Sequence, residues 1–363
     1  MRILEGTVSE VVNQLRNDRR RRVVYAEPNY LVGSPSQSSL PWSVGISWSI
    51  GISWSIGDSR SGNSAKGYSN QWMSHKIDLP TAHKFSRGQG IKIAVLDTGL
   101  DYHHPVFADK LLSGYDFVDY DYYAAEVGIW GQGAYGHGTA VAGVIAAVAP
   151  EAKIIPIRVL DPDGVGNIWR LAEGLKFAAN PDDNIYTDDG ADIINLSLGT
   201  IEPTSLIRDL LSEAANSRQS KSKSDVLNIK PQGVVVIAAA GNTGDSTPIY
   251  PAAEQADNLV SVAASTSDDA LTSFSTRGDW IDIMAPGERI VSPIPNGRFA
   301  TWHGTSFSAP IVSGVTALVM VQHPDMNPNQ IADHVKGTAA DVIGANFLRV
   351  DAGRALTITH VSH

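Results

Sequence analysis

The sequence contains no cysteine, which excludes disulfide bridges and zinc sites built on thiolates. Basic side chains are in deficit. Only 28 Lys and Arg stand against 38 Asp and Glu, a net charge of −10 that argues against nucleic acid as the main partner. Long hydrophobic runs are also missing: the most apolar stretch, Ile311 to Val321, falls short of the roughly 20 residues needed to cross a bilayer. No membrane span is therefore expected. Met1 leads into Glu5, Glu10 and the basic run Arg19 to Arg22 rather than an apolar core, so no signal peptide is expected in this chain. Charged residues make up 18% against 43% hydrophobic, a balance that suits a globular protein with a sizeable core.

What is present falls into three stretches. Residues 1–33 form a small unit in which Val8, Val11, Val12 and Leu15 have helical spacing behind Thr7 or Ser9 as N-cap. Val23 to Tyr30 then reads as a strand, and the arginines between as a solvated helix end. Residues 34–66 are rich in Ser, Gly and Trp, as in a linker, and repeat Gly45-Ile46-Ser47-Trp48-Ser49-Ile50 verbatim as Gly51 to Ile56. Two copies are too few for a repeat architecture.

Residues 67–360 form the main domain. Apolar runs at Gly90–Asp97, Lys153–Leu160, Ala191–Leu198 and Gly233–Ala240 predict buried strands. Between them, Thr139–Ala149, Asn167–Ala179 and Ser205–Ser217 predict helices, and shorter strands are predicted at Leu259–Ala264 and Trp280–Met284. The polar, lysine-rich segment 218–230 reads as a surface insertion. Strands alternating with helices in this way predict an α/β fold, a mostly parallel sheet with helices on both faces.

The stretch Trp302-His303-Gly304-Thr305-Ser306-Phe307-Ser308-Ala309-Pro310 opens a long apolar segment. Pro310 suits the first turn of a helix. Ser306 then lies at a helix start, where backbone N–H groups favour negative charge. Such a position suits a nucleophile, but taken alone it more often holds a capping serine. Three other residues have the same character. Asp97 ends the first predicted strand, His137 opens a helix within Gly136-His137-Gly138-Thr139, and Asn242 ends Ala238-Ala239-Ala240-Gly241-Asn242. Alone, each is an ordinary turn or cap residue.

In the order Asp, His, Asn, Ser, each beside glycine, these motifs resemble those of the subtilisin-like serine peptidases, the subtilases of the S8 type. The resemblance runs from about residue 70 to 356 and extends to Asn195-Leu196-Ser197-Leu198-Gly199, Tyr250-Pro251-Ala252 and Ala285-Pro286-Gly287. It implies a three-layer subtilisin-like fold and a serine endopeptidase. Asp97, His137 and Ser306 would be the triad, with Asn242 and the Ser306 N–H as oxyanion donors. It further implies that Ser197, Leu198 and Gly199 on one side, and Ala239, Ala240 and Gly241 on the other, flank an extended polypeptide substrate. Ile249 stands where many relatives have glycine at the floor of the primary specificity pocket, so small or medium apolar P1 residues are expected.

The resemblance also bears on partners and cofactors. Residues 8–30 look like the second half of an inhibitory propeptide of the I9 type, which would act as an intramolecular inhibitor. The family favours secretion and a monomer. No cofactor is expected for the chemistry. The loop that supplies a tight calcium site in many secreted subtilisins is missing between Ala147 and Pro150, so no metal ligands are assigned. Asp116, Asp119, Asp121 and Glu126 offer oxygens for a structural calcium without an assignable pattern. An α/β-hydrolase esterase is disfavoured by chain order and by Ser308 standing where its elbow needs glycine. A dinucleotide-binding protein is disfavoured because no Gly-x-Gly-x-x-Gly follows the first strand. A propeptide-locked scaffold without activity remains as the non-enzymatic alternative. Phe307 replaces the methionine that most relatives carry after the serine, which removes an oxidisable thioether. Activity is therefore expected to survive dilute peroxide, measured as residual peptide hydrolysis after timed exposure; rapid inactivation would contradict this.

Overall fold

Along Lys92–Asp97, alternate side chains enter different cores. Ile93 and Val95 pack on one side of the sheet and Ala94 and Leu96 on the other, as the period of a strand dictates when both faces are covered. In this computed structural model the described residues are 7–17, 27, 29–33, 64–129, 133–182, 189–215, 233–342 and 347–358. The hexapeptide duplication and the insertion at 218–230 lie outside them.

The elements run α1 (Val8–Asn17), β1 (Leu31–Gly33), α2 (Ala65–Ser69), α3 (Trp72–Lys76), α4 (Leu79–Ala82), β2 (Lys92–Asp97), a 3-10 turn (Pro105–Phe107) and β3 (Tyr115–Asp116). Next come α5 (His137–Val148), β4 (Lys153–Arg158), β5 (Val165–Asn167), α6 (Ile168–Ala179), β6 (Ile193–Leu196) and α7 (Ser205–Ala215). The chain continues through β7 (Val235–Ala239), β8 (Leu259–Ser265), β9 (Ile283–Pro286), β10 (Ile290–Ile294) and β11 (Arg298–Trp302). Helices α8 (Thr305–Gln322), α9 (Pro328–Gly337) and α10 (Ala352–Thr357) complete it.

Seven strands form one sheet in the order β3-β4-β2-β6-β7-β8-β9, and every pairing in it is parallel. Residues of α5, α8, α9 and α10 join the core on one face, and those of α6 and α7 join the core on the other. From β2 the chain crosses by α5 to β4, then returns by α6 to β6 on the far side of β2. The C-terminal end of β2 is thus a topological switch point, where the two crossovers leave a crevice.

Helix α8 lies deepest. Thr305 through Val319 are all buried, so its length and hydropathy, which alone would suit a bilayer span, serve the core instead. Pro310 does not occupy the first turn as expected; it is the sixth residue of α8. Its missing N–H leaves the Ser306 carbonyl without an intrahelical donor, and the Ser197 hydroxyl supplies one at 2.9 Å.

Element boundaries shift for local reasons. α5 starts at His137 rather than Thr139, because Gly136 serves as N-cap at φ +92°. The strand expected at Trp280–Met284 begins instead at Ile283. A turn closed by Ile281 N–H on the Gly278 carbonyl takes up Trp280 and Ile281, which pack with Ala240, Ala263 and Met284 in a small third cluster. The strand expected within Val23–Tyr30 falls mostly on undescribed residues; the observed strand is Leu31–Gly33, the part that lies opposite β5. Thr7, not Ser9, caps α1, exchanging hydrogen bonds with Glu10.

Arg158 ends β4 opposite Asp97 and is only 1% exposed. It donates from Nη1 to Asp116 at 2.7 Å and to Asp119 at 2.6 Å. The oxygens considered for calcium are therefore engaged in part by a guanidinium, and among the described residues no group of three or more His, Asp or Glu is placed to hold a metal. Asp116 also accepts the Val118 and Asp119 N–H groups. Asp116→Ala should strand the buried guanidinium and lower stability by about 3 kcal/mol, measured by reversible denaturation; a loss below about 1 kcal/mol would mean that Asp119 alone suffices.

Candidate active site

Parallel strands aim their C-terminal ends at one edge of the sheet, and the candidate residues gather there. Asp97 is the last residue of β2 and His137 the first of α5. Their approach depends on Gly138, where a Cβ would stand 2.2 Å from the Gly99 carbonyl oxygen. The His137 Nδ1 and Asp97 Oδ1 atoms are 2.7 Å apart, and both side chains are nearly inaccessible, 3% and 1% exposed. Thr98 N–H donates to the same Asp97 oxygen at 2.8 Å. A carboxylate acceptor makes Nδ1 the protonated nitrogen and leaves Nε2 with a lone pair. Among the described residues Nε2 has no hydrogen-bond partner. The imidazole ring is backed by aromatic edges: its centroid lies 5.7 Å from Phe307 and 6.3 Å from Trp302, and those two stack at 5.1 Å.

Ser306 is the second residue of α8 and caps nothing. The N-cap is Gly304 at φ +138°, which has no side chain to offer, and a side chain from another element takes its place. Asn242 Oδ1 accepts from the Thr305 N–H and from the Thr305 hydroxyl, each at 2.9 Å. Because Oδ1 is committed to two donors, the amide orientation is fixed and Nδ2 is the group presented beside Gly304. A Cβ at Gly304 would stand 3.1 Å from that nitrogen, so glycine there meets both the backbone and the space requirement. The Ser306 hydroxyl donates to the Ser197 carbonyl over a long 3.3 Å. The structure thus brings Asp97 to His137, and Asn242 and Ser197 to the first turn of α8.

Ser197, Leu198 and Gly199 follow β6 directly, and Ala239, Ala240 and Gly241 end β7 or follow it. The two segments run side by side because β6 and β7 are neighbours. Ile249 sits between them. A Cβ on Gly199 would meet its Cγ2 at 2.5 Å and one on Gly241 would meet its Cγ1 at 2.6 Å, and Ile249 itself is 2% exposed. The N-terminal unit reaches the same place. Gly33 exchanges both backbone hydrogen bonds with Gly199, at 3.1 and 3.2 Å, while Leu31–Gly33 pairs antiparallel with Val165–Asn167 of β5. Val32 is fully buried, packed in the cluster that includes Leu160, Ile168, Leu171 and Leu198. The Glu27 carboxylate accepts from the N–H and hydroxyl of Ser205 at the start of α7.

Sequence reasoning missed several residues that hold this arrangement. Asn195 donates to the Ser197 hydroxyl at 3.0 Å and accepts from Ser313 at 2.9 Å, a buried polar chain linking β6 to the first turn of α8 through Ser197 and to its third turn through Ser313. Polar residues at Asn195 and Ser313 inside otherwise apolar runs were the available signal. Thr305 was read only as part of the serine motif, and Glu126 only as a possible calcium oxygen.

Comparison with known proteins fits this geometry. The family model described as the subtilase family, peptidase S8, matches residues 88–354. The chain is 34% identical to a thermophilic serine proteinase of Bacillus sp. (strain AK1) over 97% of its own length and 77% of that protein's. It is 36% identical to thermitase of Thermoactinomyces vulgaris over 79% of its length and 96% of that relative. Among solved structures, a protease of Pseudoalteromonas arctica PAMC 21717 superposes with a TM-score of 0.68 at 27% identity, covering 81% of this chain and 98% of that one. The chain belongs to the subtilase family. It is a subtilisin-like serine peptidase of the S8 type with the three-layer α/β fold of that family.

Proposed function

We propose that this subtilase is an endopeptidase that cleaves polypeptides through an acyl-enzyme, with Ser306 as nucleophile, His137 as general base and acid, and Asp97 as the group that orients the imidazole. The observation that carries the assignment is the buried 2.7 Å contact between Asp97 and His137 Nδ1. It fixes the tautomer and leaves Nε2 to take a proton. In the first half-reaction the Ser306 oxygen bonds to the scissile carbonyl carbon while its proton passes to Nε2. The carbonyl π electrons become an oxyanion, for which the Asn242 Nδ2 amide and the Ser306 N–H at the start of α8 are the donors. Collapse breaks the C–N bond, and the imidazolium proton leaves with the amine. Water then repeats the sequence, releasing the acid and restoring Ser306. Protons and charge balance within these side chains, so no cofactor is assigned to the chemistry.

Substrate would bind as an added antiparallel strand between the β5 edge and the segment Ser197–Gly199. The pairing of Leu31–Gly33 with the same two segments supports this. It also supports reading residues 1–33 as an inhibitory propeptide whose end lies in the substrate cleft, with Val32 filling an apolar subsite. Ile249, wedged between Gly199 and Gly241, supports a shortened primary pocket flanked by Ala239, Ala240 and Gly241, suited to small or medium apolar P1 residues.

A fluorophosphonate probe should label the wild-type serine after removal of the N-terminal unit, and Ser306→Ala should abolish both labelling and hydrolysis; well-folded wild-type protein that takes no label would favour the inactive scaffold instead. Ile249→Gly should extend the pocket and raise kcat/KM for P1 Phe relative to P1 Ala peptides by about tenfold or more. A wild-type enzyme that already prefers P1 Phe strongly would refute the pocket assignment.

A further inference from the structure

The carboxylate of Glu126 enters the first turn of α5 from outside the helix. α5 has no capping side chain of its own, since Gly136 is the N-cap. Four donors converge on Glu126 instead. Gly136 N–H donates to Oε2 at 3.0 Å. Oε1 accepts from the Thr139 N–H at 3.0 Å, the Thr139 hydroxyl at 3.2 Å and the Thr98 hydroxyl at 3.1 Å. Thr98 in turn accepts from the Gly138 N–H at 3.0 Å. Glu126 and Thr98 together therefore satisfy the N–H groups of Gly136, Gly138 and Thr139 that the helix leaves unpaired. Thr98 directly follows Asp97, whose Oδ1 it also binds through its N–H. One hydrogen-bonded path thus joins the strand end that carries Asp97 to the turn that carries His137.

Gly136 cannot carry the cap itself, because at φ +92° a Cβ there would stand 2.9 Å from the Pro295 ring, so the capping group comes from another loop. Here a carboxylate is turned inward near a second carboxylate. Burial pushes its pKa up to about 7, against the lowering effect of the Gly136, Thr139 and Thr98 donors, and the Asp97 charge raises it further. Asp97 at the end of β2 acts on Glu126, and Glu126 acts in turn on Tyr135 before α5. Burial, then Glu126 itself, pushes the Tyr135 phenol up, while Arg298 on β11 opposes this. The four converging donors and the tie through Thr98 point to a positioning role.

We propose that Glu126 is a positioning residue for the reaction: with Thr98 it locks the first turn of α5, which carries His137, against the loop that follows Asp97, and so holds the imidazole where it can take the Ser306 proton. The inference rests on the triad assignment above. Glu126→Gln keeps the shape and removes the charge; its kcat, normalised to fluorophosphonate-titrated sites, should fall about tenfold with KM within about twofold. Glu126→Asp, which retains the acceptor oxygens on a shorter stem, should recover part of the lost kcat. Thr98→Val, which cuts the tie, should lower kcat with KM likewise within about twofold. Wild-type kcat in Glu126→Gln would overturn the proposal, whatever the change in melting temperature. If that variant does not fold, wild-type kcat in Thr98→Val would overturn it. Failure of Ser306→Ala to abolish labelling would instead defeat the triad assignment, so the two failures are distinguishable.

Discussion

The site depends on how the first turn of α8 is fastened to the ends of β6 and β7. A helix beginning in the middle of a protein presents unpaired N–H groups to a dry interior, and here Gly304 has no side chain with which to satisfy them. Asn242, from the end of β7, accepts from Thr305 twice. Ser197, from the end of β6, donates to the Ser306 carbonyl that Pro310 leaves free. These contacts fix the height, rotation and direction of the turn that carries the serine. They also consume the Asn242 oxygen, so that its NH2 faces the helix start. The same side chain that completes the helix is thereby oriented as a donor.

On the other side of the crevice the logic repeats with different residues. α5 also begins at a glycine, Gly136, and borrows its capping groups from Thr98 and Glu126. Glycines at both helix starts allow the turns to approach neighbouring backbone and side chains that a Cβ would collide with. The switch point at β2 then sets α5 and α8 on one face of the sheet with their N-termini at the same edge. Two positive helix ends, each without a capping side chain of its own, face the crevice in which the proposed mechanism develops negative charge. Polar groups buried there are retained because nearly all are paired; the exceptions include Nε2 of His137 and Oδ2 of Asp97, atoms at the proposed site.

Much of this was legible before any coordinates. The continuous apolar runs and the helical stretches between them located β2, β4, β6, β7 and β8 with α5, α6 and α7, because both faces of a parallel sheet must be covered and the runs are correspondingly apolar. The Asp97, His137, Asn242 and Ser306 motifs were legible as motifs, since each couples a polar side chain to glycine at an element boundary. Other features were not. Pro310 read as a first-turn proline, and its interior position makes sense only once Ser197 is seen supplying the missing donor. Trp280 and Ile281 read as strand because apolar residues of that type also suit a turn that closes a satellite cluster. Glu126 read as a loop acid among other loop acids. Nothing in its neighbours in sequence marks it as the cap of a helix that begins eleven residues later.

The sequence by itself determined the layering, the chain order of the candidate residues and the family membership that those motifs carry, because local pattern and spacing are properties of the chain. Only the tertiary structure decided which orphaned helix groups are satisfied by which distant side chains, that Ile249 lies wedged between Gly199 and Gly241, and that the N-terminal unit pairs with the segments flanking the candidate cleft. Those are contacts between residues tens to hundreds of positions apart. They exist because the sheet brings its strand ends to one edge, and no local pattern encodes them.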